Sequence, residues 1–204
     1  MQQTLNPWVT RPTTDEPAEE TRTAAVPPPA AISTPLRGMV EPDAADRLAT
    51  RTMAGTARLW VVGTHGGAGE SRITDLIESA RSTDHCWPVL PGGGKPQVLL
   101  VCRADMRGLT TARNALTQWV SGATPKVDLL GLAALADAPG KTPKALRDFT
   151  ALVGGGAPRS WTLPWVDAWR HKDTTALPAA REYQRFITDV TALATASNHR
   201  KVSP

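Results

Sequence analysis

Cysteine, tyrosine and phenylalanine are nearly missing from this chain: two Cys, one Tyr and two Phe in 204 residues. Two cysteines, Cys86 and Cys102, build no disulfide framework and fit a reducing compartment. No apolar run approaches the roughly 18 residues of a membrane-spanning helix. The N-terminus shows neither a basic region nor an apolar core, so no secretory signal is expected and the cytoplasm is the expected location. Histidine is equally sparse, with His65, His85, His171 and His199 scattered. Asp84-His85-Cys86 lacks the number and spacing of a zinc set, so no metal is expected. Neighbouring His85 and Cys86 do not point together as base and nucleophile, and no catalytic residue is assigned.

What is abundant is proline, glycine and tryptophan: 18 Pro, 16 Gly and 7 Trp. Pro12, Pro17, Pro27-Pro28-Pro29, Pro35 and Pro42 all fall within residues 1–57, where large apolar residues are few. Such a segment does not bury enough surface to offset its ordering entropy, so residues 1–57 read as a disordered arm. One island, Asn6-Pro7-Trp8-Val9, has an aromatic anchor suited to a partner's pocket, and Trp8 is a candidate docking residue. The arm carries five Arg and seven acidic residues, a net of −2, leaving 18 basic and 12 acidic residues, +6, in the remainder. A basic folded part suits phosphates, nucleic acid or an acidic partner.

From residue 58 the apolar pattern alternates between two periods. Continuous apolar runs at 58–62, 97–102 and 127–135, with a short one at 161–163, read as strands buried on both faces. Helical spacing appears at 71–81 (Ile73, Leu76, Ile77, Ala80), at 108–120, from Thr142-Pro143 to Gly154, and from Pro178 onward. Thr142 is the expected cap of the third helix. Strand and helix in alternation specify an α/β domain over 58–197: a small, doubly wound parallel sheet of four to five strands with flanking helices. Residues 198–204 form a basic tail. In such sheets the ligand site lies at the carboxyl ends of the strands.

The first of those ends carries Thr64-His65-Gly66-Gly67-Ala68-Gly69-Glu70-Ser71, followed by Arg72. Strand, glycine-rich loop and helix is the layout of a phosphate loop, in which glycines let backbone N–H groups surround an anion. A lysine then reaches the outer phosphates and a hydroxyl holds magnesium. Here Ser71 keeps the hydroxyl, but Glu70 stands where the lysine belongs. At an effective dielectric of about 20, one misplaced unit charge at ~4 Å costs roughly 4 kcal/mol. Arg72, Lys95 and Lys141 are the candidate substitute cations.

The loop resembles the deviant phosphate loop of the MinD/ParA family, Lys-Gly-Gly-x-Gly-Lys-[Ser/Thr]. His65 takes the place of the first lysine, Gly66 and Gly67 the glycine pair, Gly69 the third glycine, Glu70 the second lysine and Ser71 the hydroxyl. The strand 98–101, the strand 127–135 ending near Asp137, and Leu163-Pro164-Trp165 resemble the family's later strands. That likeness makes Asp137, Pro164 and Trp165 base-side candidates. It covers roughly residues 58–195 and implies a P-loop NTPase-like fold. Both lysines are replaced, and only residues 82–96 stand where the family has its switch segments. Asp105-Met106-Arg107-Gly108 has the form of a switch motif and equally that of a helix cap. The resemblance therefore implies a degenerate phosphate loop formed by His65, Gly66, Gly67, Ala68, Gly69, Glu70, Ser71 and Arg72, without hydrolysis and with no cofactor required. ATP or another nucleotide is the alternative ligand.

Trp161, Trp165 and Trp169, with Arg170, form the densest aromatic cluster and are the partner-binding candidates beside Trp8. The expected function is that of an accessory or scaffold protein of a bacterial DNA-transfer, secretion or mobile-element assembly. It would act through protein contacts, with a transfer or secretion ATPase as the partner suggested by the resemblance and self-association open. The alternatives are a nucleotide-binding switch with a substitute cation, and a basic DNA-binding adaptor.

Overall fold

The computed structural model describes residues 34–36, 38–170, 178 and 180–199. Trp8, the 6–9 motif, His171 and the tail beyond residue 199 lie outside them. Five strands form one all-parallel sheet: β2 (Leu59–Gly63), β3 (Ala80–Ser82), β5 (Gln97–Arg103), β6 (Asp128–Leu135) and β7 (Ser160–Leu163), in the spatial order β3-β2-β5-β6-β7. Counted within the sheet this is 2-1-3-4-5, the order of a doubly wound domain, and the direction in which strands are added reverses between β2 and β5. The ligand crevice of such a sheet lies at that reversal, just beyond Gly63 and Arg103.

Burial explains the order. Every residue of β2 is buried, and so is β5 up to Cys102. The centre of the sheet is thus apolar on both faces, as helices on both sides require. One face packs Trp60, Val62, Leu100 and Cys102 under α2 (Met106–Val120) and α3 (Lys144–Gly154). The other packs Leu59, Val61, Leu99 and Leu163 under α1 (Glu70–Leu76) and α4 (Arg181–His199), whose Tyr183, Phe186 and Val190 are buried.

Three expectations need correction. The helix expected over 71–81 ends at Leu76. Ile77 is already extended, Ser79 has φ 64°, and Ala80 begins β3, pairing with Leu59. The 3.6-residue spacing of Ile77 and Ala80 reflects burial from a loop and a strand, not from one helix. Thr142 does not cap α3: the N-cap position is Pro143 and no side chain bonds there.

The third correction concerns the boundary at 57. Residues 50–52 form a strand, β1 (Thr50–Thr52), parallel to β4 (Trp87–Val89) in a small second sheet. Met53 is buried and Leu48 packs against the core. Gln118 holds this segment: its Oε1 accepts from the Leu48 N–H at 3.0 Å and from Trp87 Nε1 at 2.9 Å, while its Nε2 donates to the Leu48 carbonyl at 3.1 Å. Upstream, the Leu36 N–H reaches the Val120 carbonyl at 2.7 Å. The low apolar content of the arm hid a few well-placed anchors. None of the described helices is long and apolar enough to cross a membrane.

Candidate functional site

The glycine-rich loop leaves β2 at the reversal point. Thr64 N–H bonds to the Val101 carbonyl at 2.9 Å, which carries the sheet pairing one residue past Gly63. Gly67 and Gly69 sit at φ 82° and 98°, in the left-handed region that glycine adopts without steric cost. At Gly69 space is decisive as well, since a Cβ there would lie 2.6 Å from Leu135 Cδ2. Gly69 is the N-cap of α1 and contributes no side-chain acceptor.

His65 is part of the scaffold. Its Nε2 accepts the Arg103 N–H at 3.2 Å, which assigns the proton to Nδ1, and Nδ1 donates to the Gly66 carbonyl at 2.9 Å. The imidazole thereby spans the loop and the end of β5. Gly108 packs so closely that a Cβ there would lie 2.8 Å from His65 Nε2. Asp105 Oδ1 accepts the Gly108 N–H at 2.6 Å, so Asp105–Gly108 is a helix cap.

Glu70 is the most constrained side chain of the loop, only 5% exposed. Its Oε1 accepts from Thr83 N–H at 2.7 Å, Ser82 Oγ at 2.9 Å and Thr83 Oγ1 at 3.4 Å. Its Oε2 lies 2.9 Å from His85 Nδ1, which also faces the Gly63 carbonyl at 3.1 Å. Two acceptors around one nitrogen place the proton on Nδ1. Asp84 and His85 reach this geometry through left-handed backbone at φ 53° and 61°. Such conformations cost about 1–2 kcal/mol each in a side-chain-bearing residue and persist where surrounding bonds over-determine them. The carboxylate is thus tied to the end of β3 and the turn that follows, and its charge is met by Thr83 N–H, Ser82 Oγ and His85 Nδ1, with the Thr83 hydroxyl shared with the Val61 carbonyl at 3.2 Å. This revises the simple picture of a bare anion in the cradle.

Of the candidate cations, Lys95 is at the wrong end of the sheet. It lies 3.8 Å from Asp128, the first residue of β6. Lys141 is exposed and lines neither depression at this edge. Arg72 is correctly placed, and it is joined by Arg103, which sequence inspection missed. Arg103 closes β5. Its Nε donates to the Gly67 carbonyl and its Nη1 to the Ala136 carbonyl, both at 3.1 Å. Burial, then the neighbouring Arg170, hold its pKa below the usual guanidinium value, with Asp137, Tyr183 and Asp105 opposing. A lone basic residue after a strand carries no sequence signal of this role.

Arg72 and Arg103 line two adjoining depressions. One, of about 310 Å³, runs along Gly67–Arg72 to Ser82, Asp84 and His85. The other, of about 100 Å³, is closed by Pro164, Trp165, Arg170 and Tyr183. Pro164 and Trp165 therefore stand at the site, whereas Asp137 is exposed beside it. The tryptophans divide. Trp161 packs edge-on to Phe186 at 5.5 Å and donates to Asp189, and Trp169 packs edge-on to Tyr183 at 5.5 Å. Both belong to the rim of the core. Trp165, half-buried like them, belongs to neither core cluster, and the Arg170 guanidinium lies 4.6 Å from its ring centroid. No cluster of three metal-ligating side chains occurs among the described residues.

No curated protein and no solved structure matches the chain. One family model does, over residues 57–184, from the start of the sheet into α4. The chain belongs to that family, the Family of unknown function DUF6668.

Proposed function

We propose that this protein is a non-hydrolysing, MinD/ParA-like accessory domain that works through protein contacts in a bacterial DNA-transfer, secretion or mobile-element assembly in the cytoplasm. The observation that carries the reading is the engagement of Glu70. The residue standing where a phosphate-binding lysine would be needed is bonded to Ser82, Thr83 and His85. The loop is then a joint between β2, β3 and α1, and its glycines serve the turn. Trp165 and Arg170, at the mouth of the same crevice, supply an aromatic and basic docking surface of the composition that interfaces favour.

The test combines two measurements. Melting with ATP, ADP or GTP plus magnesium shifts the midpoint by less than about 1 °C. Trp165→Ala loses a protein partner that the wild type retains in pull-downs from its own host. Unchanged partners in Trp165→Ala and in a chain lacking residues 1–33 refute the docking reading.

A second reading rests on Arg103, whose guanidinium touches the loop carbonyl of Gly67 and could stand in for the missing lysine beside Arg72. It predicts a nucleotide-dependent rise of several degrees in melting temperature that Gly67→Asp abolishes.

A further inference from the structure

Arg72, Arg103 and Arg170 converge on one small depression, yet among the described residues no carboxylate lies within ion-pair distance of any of them. Arg103 spends two N–H groups on backbone carbonyls, which leaves three of its five donors. Arg170 rests on the Trp165 face, and Trp165 Nε1 points to Asp167 Oδ1 at 3.4 Å. Three guanidinium groups that share one depression, with Asp137 and Asp105 acting on Arg103 only from beyond ion-pair distance, form a receptor for oxyanions, and planar guanidinium groups suit carboxylates. The loop side of the crevice bears Glu70, tied to Ser82, Thr83 and His85, and Asp84, paired with Arg51 at 2.8 Å, and so offers no lysine for a compact, highly charged triphosphate. Single charges spaced along an extended peptide need no such cradle and match the spaced arginines.

The chain itself contains a segment of that chemistry. Asp15-Glu16-Pro17-Ala18-Glu19-Glu20 puts four carboxylates in six residues, upstream of the described part. Its reach is sufficient. Leu36 is anchored at Val120, the last residue of α2, and α2 begins three residues past Arg103. Fifteen helical residues separate the ends of α2 by about 22 Å. The chain from Glu20 to Leu36 spans up to roughly 50 Å.

We infer that the acidic segment Asp15–Glu20 docks on Arg72, Arg103 and Arg170 of its own chain. The inference rests on the docking reading for the identity of the surface, and it makes the arm a competitor that a partner must displace. A tethered segment acts at an effective concentration on the order of 1 mM. If free peptide binds with Kd of ~100 µM, the arm occupies the crevice about ten times out of eleven, and the apparent affinity for added acidic peptide falls about tenfold.

The experiment uses the full chain and a fluorescein-labelled peptide of residues 13–22, read by anisotropy at low salt. In the wild type the peptide binds weakly. In the chain carrying Asp15→Asn, Glu16→Gln, Glu19→Gln and Glu20→Gln it binds about tenfold more tightly. Adding Arg72→Ala and Arg170→Ala to that chain abolishes the gain, while Arg159→Gln, outside the crevice, leaves it intact. Both arginines are at least partly exposed, and unchanged melting confirms that their variants fold. Equal affinity in the wild type and the arm-neutralised chain overturns the inference, as does a gain indifferent to Arg72 and Arg170. A wild-type dimer that the arm-neutralised chain does not form shows the segment reaching a second copy, and the intramolecular assignment is then wrong. If ATP raises the melting temperature of the arm-neutralised chain and the peptide does not bind it, the crevice takes nucleotide. Loss of a partner in Trp165→Ala is read separately, so the docking reading and this inference can fail independently.

Discussion

Glu70→Ala tests whether the loop is a structural joint. The substitution removes an acceptor from Thr83 N–H, Ser82 Oγ, Thr83 Oγ1 and His85 Nδ1. Thr83 is 1% exposed, so its backbone N–H loses its partner where water does not replace it. A hydrogen bond to a charged group contributes about 1.5–3 kcal/mol, and a donor left buried and unpaired costs about 1–3 kcal/mol. Ser82 and His85 are partly exposed and recover some hydration. The net loss is about 3–5 kcal/mol, one charge-assisted hydrogen bond plus one buried donor left unpaired. Against a total stability of ~5–15 kcal/mol this is severe. At about 2–4 °C per kcal/mol it lowers the melting temperature by roughly 6–20 °C. Glu70→Gln keeps an oxygen for Thr83 N–H but loses the charge and loses about half as much. Glu70→Lys places an ammonium against those same donors and is at least as damaging as alanine. The assay is thermal and urea unfolding followed by circular dichroism. Glu70→Ala or Glu70→Lys melting within about 2 °C of wild type refutes the reasoning, because the carboxylate would then be expendable.

Other consequences follow from the same geometry. Gly69→Ala meets both a φ of 98° and Leu135 Cδ2, whereas Gly67→Ala meets only its φ of 82°. Unfolding experiments should give about 1–2 kcal/mol for Gly67→Ala and clearly more for Gly69→Ala. Deleting residues 1–33 lowers the melting temperature by only about 3–6 °C, the loss of an arm docked at about ten-to-one occupancy, while deleting 1–57 lowers it sharply, because the latter also removes β1, Leu48 and Met53. Gln118→Ala frees Leu48 and Trp87 together, so hydrogen exchange speeds up across residues 48–53. Burial pushes the Cys102 thiol from 9.0 up to about 12 and raises Tyr183 above its usual value. Both groups ionise first in the unfolded chain, which therefore binds fewer protons above pH 9. Stability is full below that pH and is lost as pH rises toward 12; Cys102→Ala removes part of this loss in melts between pH 8 and 11.

Strand runs at 97–102 and 127–135 were legible because a fully buried parallel strand is apolar at nearly every position, and their short length between Pro, Gly and charged residues separates them from a buried helix. The glycines of 66–69 announced a turn between strand and helix, and the structure puts Gly67 and Gly69 in the left-handed region. The end of α1 was not legible, since Ile77 and Ala80 are buried whether they belong to a helix or to a strand. The crevice was less legible still. Arg103 is an isolated residue in the sequence and becomes central only because β5 lies beside β2 and carries it to Gly67. His85 was read as part of a failed metal motif and proves to be a donor to Glu70.

By itself the sequence determined the alternation of strand and helix, the parallel sheet, the glycine turn and the replacement of the loop lysine by Glu70, because periodicity and conformational preference act between near neighbours. Only the tertiary structure decided what Glu70 does, that residues 48–53 belong to the fold, and that Arg72, Arg103 and Arg170 share one depression. Those outcomes depend on contacts between residues 12 to 98 positions apart. Nothing in local spacing encodes such distances; packing of the sheet sets them.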